Sequence, residues 1–146
     1  WAIRALDKEV IASVKLGATL EQESILSEEL RNARTTGYVN IKYYPLGDLA
    51  TYVHENKITP DLQAKWFQQL LEAVVVIHSH NIIHSDLALR QFFVDDALNV
   101  RLGDFNSSQY PGHPALGYEK ASHCLPRDYD MPNTIMSDLF ALGSTL

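Results

Sequence analysis

The chain has 146 residues, of which 46% are hydrophobic and 21% are charged, with a formal net charge of −6. This composition is typical of one globular domain and excludes a disordered, collagen-like or repeat protein. The acidic balance lacks the basic surplus that binding to phosphate backbones needs, so we expect no nucleic acid partner. A single cysteine, Cys124, excludes an internal disulfide and a thiolate zinc site, and we expect an intracellular, cytoplasmic protein.

The hydrophobic runs are too short to cross a membrane. The longest covers residues 73–77, whereas a membrane helix needs about 20 apolar residues, so we expect no membrane partner. Trp1 stands where an initiator methionine would, and no leader sequence follows it. We therefore expect the chain to be an internal fragment of a longer protein.

The first third of the chain predicts a strand, a helix and a second strand. Residues 9–16 form a strand-like run that Gly17 ends, and residues 20–30 carry apolar side chains at helical spacing. A short apolar and aromatic strand follows at 39–44. Residues 45–48 then predict a turn before another helix begins.

The clearest predicted helix covers residues 59–80. Thr59 can cap it, Pro60 suits its first position, and Asp61 complements its positive end. Its apolar residues recur three or four apart and predict one buried face, formed by Leu62, Trp66, Leu70, Ala73, Val74 and Ile77.

A hairpin and an irregular segment follow this helix. Two short strands, 91–94 and 99–102, are joined by a turn at Asp95 and Asp96. Residues 104–130 contain two glycines and three prolines without periodicity, and such a long irregular segment suggests function. An apolar helix is predicted to start just after Ser137.

Two aspartates flank the predicted hairpin. Asp86 lies in His84-Ser85-Asp86, and Asp104, which is 18 residues later, begins Asp104-Phe105-Asn106. Phosphoryl transfer needs one carboxylate to orient the attacking hydroxyl and another to hold magnesium. A lone aspartate after a strand is usually a turn residue or a cap, but a pair at this spacing is more specific.

These residues resemble the protein kinase family. Residues 84–91 resemble the catalytic loop H-R-D-L-x-x-x-N, and residues 104–106 resemble D-F-G. Residues 44–49 resemble the hinge, 125–127 the A-P-E motif, and 137–143 the helix that follows it. The resemblance covers about 43–146 and is strongest to divergent kinase-like proteins of fungi.

The resemblance implies an α+β, protein-kinase-like fold. Residues 1–43 would form a partial, abridged N-lobe of strand, helix and strand. Residues 44–146 would form the first, mainly helical part of the C-lobe, with the catalytic loop, the metal loop and the activation segment, truncated at the C-terminus.

The resemblance also implies ATP and Mg²⁺ as cofactors and a protein substrate. Asp86 would accept or orient the substrate hydroxyl proton, and Asp104 would bind the metal. Gln91 stands in place of the second metal-binding asparagine. Arg90 resembles the arginine of tyrosine kinases that steadies the phosphoryl group, and a solvated or structural arginine is an equal alternative.

In the N-terminal part, Lys15 would pair with the nucleotide phosphates and Glu23 with Lys15. Arg4 is a rival for the lysine, and a solvated strand-end residue is the plainer interpretation of Lys15. No G-x-G-x-x-G sequence precedes the first strand, which favours weak nucleotide binding.

Three further positions depart from the kinase pattern. Ser85 replaces an arginine that pairs with phosphorylated activation loops, so we expect less control by phosphorylation. Asn106 replaces a glycine, and asparagine tolerates positive φ, so we expect the turn to survive. Arg127 replaces a glutamate of a buried ion pair and needs a different partner.

Two histidine interpretations follow as well. His84 is expected to support the loop from within the core without transferring protons. His78 and His80 lie two apart on a helix and face different sides, which argues against zinc.

The motifs leave three possible functions open. The first is a protein kinase, acting on serine or threonine more than tyrosine, although this fragment alone would have weak or no activity. The second is a pseudokinase that binds or scaffolds. The third is a small-molecule phosphotransferase, which the long segment before Leu125 and Pro126 disfavours.

Overall fold

The computed structural model describes residues 43–128 and 130–145. Within them three α-helices surround an antiparallel hairpin. The predicted strands and helix of the N-terminal third, with Arg4, Lys15 and Glu23, lie outside the described residues. The abridged N-lobe therefore stays a prediction.

The first helix, α1, covers Leu49–Glu55 and follows the predicted turn. The carboxylate of Asp48 caps it by accepting a hydrogen bond from the Thr51 N–H at 3.0 Å. Partial burial acts to raise the pKa of Asp48, but the hydrogen bonds from Thr51 outweigh it and lower that pKa. Gly47 adopts a φ of 75°, and its carbonyl accepts from the Val94 N–H at 3.0 Å, which joins this turn to the hairpin.

The second helix, α2, covers Pro60–Ser79 and confirms the prediction almost to the residue. Thr59 is the N-cap, and its side chain accepts a hydrogen bond from the Leu62 N–H. The predicted face is the one that packs, with Leu62 and Ala73 partly buried against the core. The fully buried positions of this helix are Trp66, Leu70, Val74 and Ile77.

The hairpin consists of β1, Phe92–Val94, and β2, Val100–Leu102. Phe92 lies opposite Leu102, and Val94 lies opposite Val100. The Trp66 indole N–H donates to the Leu98 carbonyl at 2.9 Å and fastens the hairpin turn to α2. Gln91 was predicted in the first strand but lies in a 3₁₀ turn, Leu89–Gln91, because the chain must still leave the catalytic loop there.

The third helix, α3, covers Ile135–Gly143 and begins earlier than predicted. Its N-cap is Thr134, which exchanges hydrogen bonds with Ser137 in a capping box. Ser137 is thus the third residue of the helix rather than its start. The reciprocal bonds satisfy backbone groups that the first turn leaves without partners.

One hydrophobic core joins all three helices to the hairpin and confirms the α+β class. A second cluster lies beneath the end of α2, where Ile77, Ile82 and Phe105 pack together. No helix in the part of the chain that the structure describes is long and apolar enough to span a membrane. The main core comprises Leu49, Trp66, Leu70, Val74, Leu87, Phe92, Val94, Val100, Ala141 and Leu142.

Candidate active site

The backbone that leads into Asp86 is held by a buried carboxylate from α3. Asp138 accepts hydrogen bonds from the His84 N–H at 2.8 Å and the Ser85 N–H at 2.9 Å. His78 lies 2.9 Å from the same carboxylate through its Nε2. Ser85 has a φ of 70°, a conformation that a non-glycine residue adopts only when its surroundings hold it there. The α3 helix therefore determines the shape of the catalytic loop.

His84 is fully buried and links the catalytic loop to the second aspartate. Its Nε2 lies 2.9 Å from the Gly103 carbonyl, the residue before Asp104, and its ring is 5.2 Å from that of Phe105. Burial lowers the pKa of His84, so the ring is neutral at pH 7. Because a carbonyl only accepts, the proton is on Nε2, and Nδ1 has no partner among the described residues. This arrangement agrees with a structural role.

Asp86 accepts a hydrogen bond on each of its carboxylate oxygens. Arg90 donates from Nη2 to Oδ1 at 2.6 Å, and Gln91 donates from Nε2 to Oδ2 at 2.7 Å. Both donors belong to the 3₁₀ turn Leu89–Gln91, which brings residues four and five positions on back to Asp86. The structure thus brings together three of the predicted site residues.

The orientation of the Gln91 amide follows from this contact. An ionised carboxylate only accepts hydrogen bonds, so Gln91 must present its NH₂ group to Asp86. Its Oε1 receives no hydrogen bond from any residue that the structure describes. The amide oxygen is the atom that a metal would require.

Asp104 is held by a local turn. It adopts a left-handed conformation, φ 53° and ψ 59°, and precedes the 3₁₀ turn Phe105–Ser107. Asn106 donates from Nδ2 to Asp104 Oδ1 at 2.7 Å. No described residue donates to Oδ2. We expected positive φ to matter at Asn106, but Asp104, two residues earlier, takes the left-handed conformation, since the chain reverses there.

The hairpin brings Gln91 and the residue before Asp104 together. The Gly103 N–H donates to the Gln91 carbonyl at 2.8 Å. A Cβ atom on Gly103 would lie 2.9 Å from the Phe93 ring, so a larger residue there would require the ring to move. Asp86, which Gln91 contacts, and Asp104, which follows Gly103, are thereby joined at the open end of the hairpin.

The available ligand atoms suit magnesium. Asp104 Oδ2 and Gln91 Oε1 are hard oxygen donors, the type that magnesium prefers, and it often takes only one or two carboxylates beside phosphates. Among the described residues no group of three or more His, Cys, Asp or Glu side chains could hold a metal. His78 contacts Asp138, and His80 contacts the Val76 carbonyl of its own helix, so the two rings have different partners.

The irregular segment that follows Asp104 supplies the new partner that Arg127 needs. Arg127 donates to Glu119 at 2.9 Å and also to Asn133. Both charged side chains are largely buried, with 11% exposure for Arg127 and 0% for Glu119. Asn133 in turn donates to the Gly117 carbonyl, which closes the segment on itself. The reversed charge at Arg127 is therefore matched within the same segment.

Sequence reasoning assigned no role to Asp138 or Glu119. An acidic residue in the first turn of a helix ordinarily complements the helix dipole. Because this interpretation also suits Asp138, its position gave no reason to expect a buried role. The mostly apolar helix around Asp138 was the available signal, because an acid that such a helix buries needs donors. Glu119 gave no such signal in its irregular segment.

Comparisons with known proteins agree with this geometry. Residues 6–145 match the model of the protein kinase domain. An SNF1-like protein kinase, ssp2, of Schizosaccharomyces pombe is 33% identical over 73% of this chain and 18% of its own length. The carbon catabolite-derepressing protein kinase of Candida glabrata is 26% identical over 96% of this chain and 24% of its own length.

A plant relative shows that the similarity is not confined to fungi. The CBL-interacting serine/threonine-protein kinase 13 of Arabidopsis thaliana is 28% identical over 73% of this chain and 24% of its own length. The chain thus spans about a quarter or less of the length of these curated relatives. With the family model matching nearly the whole sequence, the chain belongs to the protein kinase family.

Proposed function

We propose that this chain is part of an enzyme that transfers the γ-phosphoryl group of ATP to a hydroxyl group of a protein. The observation that carries the proposal is the junction of Asp86 and Asp104 at one end of the hairpin, through Gln91 and Gly103. The relatives include a protein named as a serine/threonine kinase, which favours those acceptors over tyrosine.

Asp86 orients the substrate hydroxyl and accepts its proton. Its carboxylate offers about four lone-pair positions, and the bonds from Arg90 and Gln91 use two of them. A substrate hydroxyl can therefore donate to Asp86 without displacing either side chain. Arg90 lies beside this position and can also steady the phosphoryl group.

Asp104 and Gln91 would hold the metal, because Asp104 Oδ2 and Gln91 Oε1 are the oxygens to which no described residue donates. Bound magnesium supplies positive charge that offsets the charge of the nucleotide phosphates. Gln91 connects the two roles, since its amide nitrogen contacts Asp86 while its amide oxygen faces no other donor. Lys15, with Glu23 as its partner and Arg4 as its rival, remains the proposed contact to the phosphates.

A pseudokinase is the second candidate, and one observation favours it. Gln91 stands in place of the second metal-binding asparagine, and its longer side chain is tied to Asp86 by a 2.7 Å hydrogen bond. In that case the chain would bind nucleotide or a partner protein without transferring a phosphoryl group.

The two candidates differ in what each aspartate controls. The test uses the purified intact protein, thermal stabilisation by ATP with and without magnesium, and transfer of label from γ-labelled ATP to a mixture of protein substrates. We expect Asp104→Asn to abolish magnesium-dependent stabilisation. We expect Asp86→Asn to keep that stabilisation and to lower transfer at least about 100-fold, the usual contribution of a general base.

The matched control is Asp96→Asn, which changes an exposed aspartate at the hairpin turn and should alter neither signal. Magnesium-dependent binding without transfer would favour the pseudokinase. Transfer that persists in Asp86→Asn would show that the base is another residue.

A further inference from the structure

Asn106 occupies the position where the kinase pattern has a glycine, and its side chain makes a hydrogen bond within the site. It is exposed, and yet its amide donates a 2.7 Å hydrogen bond to Asp104 Oδ1. A glycine at this position could make no such contact. The substitution therefore adds a donor directly beside the proposed metal ligand.

The contact limits what Asp104 can offer. The amide of Asn106 is neutral, so the contact places no opposing charge beside the carboxylate. Oδ1 accepts this hydrogen bond, while Oδ2 has no donor among the described residues. Two features fix the direction of the Asp104 side chain. They are its left-handed backbone and the hydrogen bond that it accepts from Asn106.

We propose that Asn106 is a positioning residue that presents Asp104 as a one-oxygen ligand for magnesium. The inference rests on the proposed function, because it assumes a metal at Asp104. Carboxylates that bind metals are commonly held by an outer hydrogen bond, and loss of such a bond weakens metal binding by about 10–100-fold.

The same geometry sets a preference between cations. Magnesium demands near-octahedral geometry, whereas calcium has a larger, more flexible shell and often takes both oxygens of a carboxylate. A cation bound through both oxygens of Asp104 would have to share Oδ1 with the Asn106 amide, whereas a cation bound through Oδ2 alone would not. Asn106 therefore favours magnesium over calcium.

The test measures binding and does not depend on turnover. Purified intact protein is titrated with a non-hydrolysable ATP analogue in MgCl₂ and separately in CaCl₂, by calorimetry, for the wild type, Asn106→Ala and Asn106→Gly. We expect both variants to bind the magnesium complex about tenfold more weakly and to lose most of the preference for magnesium over calcium. Melting without ligand should shift by no more than about 2 °C, since the side chain is exposed.

Asn56→Ala is the matched control, because Asn56 is also exposed and its amide donates only to the Tyr52 carbonyl at the end of α1. It should bind as the wild type does. An effect in Asn106→Gly but not in Asn106→Ala would place the cause in backbone freedom and overturn the inference.

Two other outcomes separate this inference from the proposed function. If the wild type depends on magnesium and Asn106→Ala binds equally well or more tightly, the inference alone is wrong. If the wild type shows no dependence on magnesium and Asp104→Asn matches it, the proposed metal site fails, and the inference fails with it.

Discussion

The two aspartates of the site are held in different ways. Asp86 has a donor on each oxygen, and the backbone before it is bonded to the buried Asp138 of another helix. Asp104 has one side-chain donor, the exposed Asn106, two residues away. The backbone beside each aspartate is bonded to buried groups, since Gly103 contacts His84 and Gln91, so the difference lies in the carboxylates. Asp86 has donors on both oxygens, and Asp104 has one exposed neighbour on one oxygen.

The largest expected effect on stability comes from removing the Asp138 carboxylate, which holds the backbone before Asp86. Asp138→Ala leaves the His84 and Ser85 N–H groups buried without an acceptor, and we expect a loss of about 3 kcal/mol in the free energy of unfolding. Urea denaturation measures it. Asp61→Ala, which removes an exposed acid from the first turn of α2, is the control and should cost less than about 1 kcal/mol. Equal losses in the two variants would contradict the anchoring role.

A smaller effect on the free energy of unfolding is expected from the pH dependence of His84, which connects the loop of Asp86 to Gly103. The folded-state pKa of His84 is lowered by burial, so the unfolded chain binds a proton first as the pH falls. Stability from this group is complete above about pH 6.5 and falls by up to about 1.4 kcal/mol per pH unit below it, until the lower folded-state pKa is reached.

Denaturation curves between pH 7 and pH 5 test this dependence. His84→Gln, which keeps a donor for Gly103 but does not titrate, should show a shallower slope than the wild type. His54→Gln, at an exposed position of α1, should leave the slope unchanged. A slope that is the same in all three proteins would show that His84 does not carry the pH dependence.

The smallest effect is expected at the Asp86 ion pair itself. Arg90 and Asp86 retain side-chain exposures of 31% and 20%, and such pairs contribute little to stability. We expect Arg90→Met, which keeps the apolar stem, to lower the free energy of unfolding by about 0.5 kcal/mol. A loss above about 2 kcal/mol would place Arg90 among the structural anchors of the loop and favour its structural interpretation.

The sequence predicted best those elements whose signals are local. The buried face of α2 follows from helical spacing, and the hairpin follows from two short apolar runs around Asp95 and Asp96. The start of α3 was wrong because Thr134 and Ser137 form a capping box, in which either residue alone resembles a cap.

The candidate site was predicted through its chemistry but not through its contacts. Asp86, Gln91 and Asp104 were identified from pattern and spacing, whereas the hydrogen bond from Asn106 to Asp104 depends on the backbone conformation of Asp104. The sequence could signal that Asp138 is buried but not which groups it bonds, since those lie more than 50 positions away. A hydrogen bond between residues so far apart produces no periodic pattern of residues from which it could be predicted.

The bond between Gly103 and Gln91 has a consequence for variation in chain length. The two aspartates are joined where the hairpin opens, while the turn at Asp95 and Asp96 lies at its far end. The 18-residue separation is therefore not itself a requirement of the site. Residues inserted between Asp95 and Asp96 would lengthen the path along the chain without moving the carboxylates apart. We therefore expect this turn to be the position where insertions leave the site intact.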